Sequence, residues 1–129
     1  MALFVPIMDA MEHAEPPLIF QAAVERQLSL AFQNGAGQWE GHDYCVTAVA
    51  EREGLDEHAL VVDFRELEAA LKSALDTMRG RALGELGLDG PMDAAKKIAD
   101  ALAPTIAPPA RLAEVSLQDG VGRRITLRL

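Results

Sequence analysis

The chain has few of the features that usually announce a function. Only one of its 129 residues is a cysteine, Cys45, so no disulfide can close within the chain and a reducing compartment fits. Basic residues are scarce: 12 Lys and Arg stand against 20 Asp and Glu, a formal net charge of −8. Nucleic-acid-binding surfaces are normally basic, so nucleic acid is not an expected partner. No apolar run approaches the roughly 20 residues of a membrane-spanning helix, and no membrane partner is expected. Met1 to Met8 is apolar, but it carries no basic residue and Pro6 interrupts it, so it does not read as a signal peptide. The cytoplasm is the expected location.

What remains is an ordinary globular composition. Half the residues are hydrophobic and a quarter are charged, enough to build one core, and residues 1–129 are expected to form a single domain. Residues 1–17 read as an N-terminal extension ending in Ala14-Glu15-Pro16-Pro17, where the proline pair stops any helix. Leu18 to Phe32 is apolar with weak alternation and predicts a long strand. Asn34-Gly35-Ala36-Gly37 is a loop signal. His42 to Glu51 predicts a second strand, rich in β-branched and apolar positions. Strand alternation puts Glu40, His42 and Tyr44 on one face and Cys45 on the other, where Cys45 reads as a small buried hydrophobe.

Asp63 to Arg79 predicts a helix. Asp63 can cap it, Glu66 completes a capping-box pattern, and Phe64, Leu67, Leu71, Ala74, Leu75 and Met78 share a face. Glu68 and Lys72 are spaced as an i,i+4 pair. Pro91 opens a second helix with a stripe of Met92, Ala95, Ile98, Ala99 and Leu102, and Pro104 ends it. Val115 and Leu117 alternate as a strand, Gly120 to Gly122 turn the chain, and Ile125, Leu127 and Leu129 alternate as the last strand. The order β-β-α-α-β-β gives an α+β fold: an antiparallel four-stranded sheet with two helices on one face. The moderate amphipathicity of the strands suggests burial on both sheet faces.

Several short stretches in this order resemble the 6-pyruvoyl-tetrahydropterin synthase and 6-carboxytetrahydropterin synthase family. They are Phe20-Gln21-Ala22-Ala23-Val24, Glu40-Gly41-His42, Val61-Val62-Asp63-Phe64, Pro91-Met92 and Val115-Ser116-Leu117-Gln118-Asp119. The resemblance implies the tunnelling fold, a trimeric ring stacked into a hexamer, and a pterin-like ligand. It puts the family's zinc ligands at Val24, Glu40 and His42, its catalytic cysteine at Ala36 and its Asp-His pair at Arg79-Gly80. Valine cannot ligate a metal, so no catalytic residue, zinc or other cofactor is expected. Met8 to Glu12 faintly resembles the first-strand motif as well, and that register brings Glu12 or His13 toward Glu40 and His42.

The family's pterin-anchoring carboxylate falls at Asp119, or at Gln118 if the strand slips by one residue. A carboxylate can accept two N–H groups from one ring edge. The candidate ligand-binding residues are therefore Asp119, Gln118, His42 and Glu40. Each has a plainer reading: Asp119 before Gly120 as a turn residue, His42 as a structural histidine, and Glu40 as a solvated strand-end charge. Three functions follow: a pterin- or purine-binding homologue without the standard reaction, an active zinc synthase with an unusual ligand set, or a structural oligomer that binds no small molecule.

Overall fold

In the computed structural model, residues 17–129 are described. Four antiparallel strands lie in sequence order: β1 (Ile19–Gln33), β2 (Trp39–Glu53), β3 (Arg111–Asp119) and β4 (Arg124–Arg128). Helices α1 (Phe64–Asp76) and α2 (Pro91–Leu102) pack on one face, and the predicted β-β-α-α-β-β architecture stands. Two short 3₁₀ turns, Leu83–Leu86 and Ala103–Thr105, were not legible in the sequence.

The alternation along β1 is sharper than expected. Ala22, Val24, Leu28 and Leu30 are buried, while Gln21, Ala23, Glu25, Gln27 and Ser29 are exposed. The helix-covered face continues through Tyr44, Val46, Ala48 and Ala50 of β2 and Val115 and Leu117 of β3. Leu67, Leu71 and Leu75 of α1 and Ala95, Ile98 and Leu102 of α2 close over it. The opposite face is mainly polar, with Gln21, Glu25, Gln27 and Ser29 of β1 exposed on it in the single chain. Cys45 sits on that face, partly exposed, with its thiol 3.4 Å from a Glu25 carboxylate oxygen, and is not a buried hydrophobe.

The helix details differ in physically instructive ways. Asp63 caps α1 by accepting the N–H of Arg65 at 2.8 Å, so the cap closes on the second helical residue and not as a capping box. The helix proper ends at Asp76. Lys72 pairs forward with Asp76 at 2.8 Å, and Glu68 reaches across to Arg26 on β1 at 3.3 Å, in place of the expected Glu68–Lys72 pair. Phe64 and Met92 lie on the predicted stripes but at helix starts, and are about half exposed.

Three turns share one five-residue geometry. At Asn34, Asp56 and Asp119 the side-chain oxygen accepts the backbone N–H groups of residues i+2 and i+4 at 2.8–3.0 Å. In each, the backbone N–H of residue i also donates to the carbonyl of residue i+4. In each, residue i+3 is left-handed: Gly37 (φ 75°), Ala59 (φ 60°) and Gly122 (φ 88°). An Asx oxygen satisfies the inward-pointing N–H groups, and a left-handed residue brings the chain back.

Candidate functional site

The β1–β2 register decides what surrounds His42. His42 faces Leu30, Glu40 faces Phe32 and Tyr44 faces Leu28. On its other side β2 pairs with β3, and Tyr44 lies opposite Asp119. Strand β2 begins at Trp39, so Glu40, His42 and Tyr44 do share one face, as the alternation predicts. At this end of the sheet the face is bordered by Pro91, at the start of α2. It forms a cleft of about 300 Å³ lined chiefly by Phe32, Glu40, His42, Tyr44, Asp119 and Arg123.

One wall is aromatic. The His42 ring lies 6.0 Å from Phe32 and 5.8 Å from Tyr44, centroid to centroid, with tilted planes. Such spacing and tilt are those of aromatic side chains packed on one another. Glu40 Oε1 lies 3.4 Å from His42 Nε2, a long contact. The other Glu40 carboxylate oxygen accepts no hydrogen bond from the described residues, and neither does the Tyr44 hydroxyl take part in one. Tyr44 is nearly buried. Burial pushes its hydroxyl above the usual phenol range, the Asp119 and Glu40 carboxylates add to the rise, and Arg123 opposes it. Tyr44 is thus a neutral donor at ordinary pH.

Asp119 is in a different state. Its side chain is 5% exposed. Its Oδ1 accepts the N–H of Val121 at 3.0 Å and of Arg123 at 2.9 Å, and Oδ2 accepts Arg123 Nε at 2.7 Å. The Arg123 backbone N–H, the Arg123 guanidinium and the Val121 N–H together hold its carboxyl below the usual carboxylate range. Gln118 is in register with Cys45 and Arg124 and is exposed on the opposite face of the sheet, so it does not join the other candidates. A one-residue slip is prevented because it would carry Leu117 and Val115 out of the core.

Val24 requires a correction. It pairs with Ala48, six residues along β1 from the position opposite His42, or roughly 20 Å away at strand rise. The first-strand motif is therefore misplaced: the β1 positions facing Glu40 and His42 are Phe32 and Leu30. These cannot ligate a metal, and among the described residues no three His, Cys, Asp or Glu side chains cluster to hold one. Glu40 and His42 supply two donors where a catalytic zinc takes three, so the described residues do not fit that metal. Glu12 and His13 lie outside the described residues. Ala36 sits in the exposed Asn34 turn, and Arg79 pairs with Asp76 at 3.1 Å; neither offers acid–base chemistry to the cleft.

Strand parity placed Tyr44 beside Glu40 and His42 in the sequence, but neither it nor Phe32 nor Arg123 was counted among the ligand-binding candidates. Arg123 was readable only through the repeated turn pattern, which brings residue i+4 back beside the Asx side chain. No helix of the described residues is long and apolar enough to cross a membrane.

Comparison with known proteins bears on the fold. No family model and no curated protein matches the sequence. Solved structures do match. A 6-pyruvoyl tetrahydropterin synthase from Caenorhabditis elegans superposes with a TM-score of 0.73 at 17% identity, covering 89% of this chain and 99% of that one. The Plasmodium vivax 6-pyruvoyl tetrahydropterin synthase superposes at 0.68 with 13% identity, over 87% and 98% of the two chains. An uncharacterized protein from Wolinella succinogenes superposes at 0.62 with 14% identity, over 86% and 98%. The chain has the fold of these synthase structures, as the sequence resemblance implied.

Proposed function

We propose that this protein binds a flat nitrogen heterocycle of the pterin or purine kind in the cleft and does not run the zinc-dependent synthase reaction. The observation that carries this reading is the cleft itself. An aromatic wall of Phe32, His42 and Tyr44 stands beside the carboxylates of Glu40 and Asp119, on a fold whose solved relatives are named as pterin synthases. A ring stacked on that wall turns its N–H edge toward a carboxylate, which suits a donor-rich heterocycle better than an apolar one. The synthase chemistry is set aside because the described donor set stops at Glu40 and His42, with Leu30 and Phe32 across from them.

The assembly belongs to the same reading. Strands β1 and β4 are the two edges of the sheet, and their free backbone groups support closure with further copies of the chain. We take the state in solution to be a ring of three stacked into a hexamer, in the cytoplasm; light scattering on the full chain checks the mass.

Calorimetric titration of the full chain with pterin and with guanine tests the binding. Saturable uptake of one ring per chain, lost in His42→Ala, is expected. No uptake of either ring leaves the structural-oligomer reading in its place. Metal analysis of untagged protein tests the second half: well under one zinc per chain is expected, and stoichiometric zinc surviving dialysis overturns it.

A further inference from the structure

The cleft contains two carboxylates, and their hydrogen bonding distinguishes them. Asp119 repeats the geometry of Asn34 and Asp56, two residues at turns outside the cleft. Its Oδ1 carries two backbone donors and is saturated, since an oxygen of this kind has two acceptor sites. Its Oδ2 already holds the Arg123 guanidinium. A two-pronged N–H edge needs both oxygens of one carboxylate free at the same time, and Asp119 cannot supply that without opening its turn. Glu40 has no such internal employment. Among the described residues its one hydrogen-bond contact is the long 3.4 Å approach to His42, and it lines the cleft beside the aromatic wall.

We propose that Glu40, and not Asp119, is the carboxylate that reads the N–H edge of the ring, with the Tyr44 hydroxyl as the donor facing the ring's carbonyl. This rests on the heterocycle-binding reading above and assigns its specificity. The ligand class narrows to rings that present two adjacent N–H donors beside a carbonyl acceptor, as 2-amino-4-oxo heterocycles do. Asp119 is a positioning residue. It fixes the β3–β4 turn and holds Arg123 at the cleft margin.

The test compares two fluorescent rings on the full chain. Pterin carries the 2-amino donor; lumazine carries a carbonyl in its place. Wild-type protein is expected to bind pterin more tightly by roughly 10- to 100-fold, the scale of one to two charge-assisted hydrogen bonds. Glu40→Gln brings pterin down to the affinity of lumazine. Asp119→Asn, whose amide oxygen can close the turn as Asn34 does, shifts both affinities by a common factor and keeps their ratio. Tyr44→Phe weakens both rings alike, because both carry the 4-carbonyl. Thermal melting of each variant confirms that it is folded.

The assignment is overturned if Asp119→Asn removes the preference for pterin while Glu40→Gln retains it. Equal affinity of wild-type protein for the two rings also overturns it, yet leaves heterocycle binding standing. Binding of neither ring overturns this assignment and the proposed function together. Unchanged affinities in Tyr44→Phe remove the hydroxyl from the assignment.

Discussion

The turn at Asp119 and the turn at Asp56 sit at opposite ends of the sheet and share the same hydrogen bonds to the backbone. Asp56 accepts from the N–H groups of His58 and Leu60, and Asp119 from those of Val121 and Arg123. Only their surroundings differ. Asp56 borders a cavity of about 250 Å³ formed with Arg52 and residues of the α1 start and the 105–110 segment. Asp119 is nearly buried, adds the Arg123 guanidinium, and borders the aromatic cleft. An aspartate in a cleft invites a ligand-anchoring role, but the same geometry at Asp56 accounts for the residue through the backbone alone. Among the described residues, the cleft carboxylate with no turn or cap to hold is Glu40.

The largest effects should separate the two ends through what lies under each turn. Leu117, two residues before Asp119, is fully buried, whereas Leu60, at the end of the Asp56 turn, is 36% exposed. Leu117→Ala is expected to cost about 2–5 kcal/mol of unfolding free energy, and Leu60→Ala about 1 kcal/mol or less. Urea melts measure both. Equal costs would mean that the cleft end does not rest on the core as described.

The next effect tests the turns themselves. Asp119→Ala strands two backbone N–H groups and a guanidinium, and Asp56→Ala strands two backbone N–H groups in a more open setting. The drop in Tm should be greater for Asp119→Ala. Asparagine at either position should recover much of the loss, because Asn34 makes the same turn with an amide oxygen. The pH dependence has a definite sign. The surrounding donors lower both carboxyl pKa values in the folded state. Each group therefore contributes stability that is present above the ordinary aspartate pKa of about 4 and fades as pH falls through the lowered folded value. In Asp119→Asn that part of the acid slope should vanish while the neutral-pH turn persists. An unaltered acid slope would separate the Asp119 charge from stability.

The same turns mark how far the sequence could be read. Element order and faces were legible because strand parity and helix spacing are local: Glu40, His42 and Tyr44 fall together by counting alone. The register of β1 was not, because it depends on the length of the β1–β2 hairpin and its tight Asn34 turn. A motif match at Phe20–Val24 put Val24 beside His42, but the paired strands put Leu30 there. Gln118 and Asp119 were left as alternatives until the burial of Leu117 and Val115 fixed which of them faces inward. Arg123 was hidden for a third reason: nothing in an isolated arginine reports the turn that folds it back onto Asp119. The recurrence of Asn34-x-x-Gly37, Asp56-x-x-Ala59 and Asp119-x-x-Gly122 was the signal, and it becomes readable only once one of the three is understood.

Ala59 is the exception in that series, and it yields the smallest test. It holds the left-handed position that Gly37 and Gly122 hold in the other two turns. A Cβ in that conformation costs roughly 1–2 kcal/mol, and glycine gives part of this back through its looser unfolded chain. Ala59→Gly should therefore stabilise the protein by only about 0.5 kcal/mol. The reverse changes, Gly37→Ala and Gly122→Ala, should each destabilise by about the same amount, since an added Cβ at either meets nothing within 4 Å and only the backbone term remains. Differential scanning calorimetry resolves shifts of this size when the variants are run side by side. If Ala59→Gly lowers the Tm, the three turns do not share one energetic design. The place of Asp119 in its turn would then rest on its own hydrogen bonds alone.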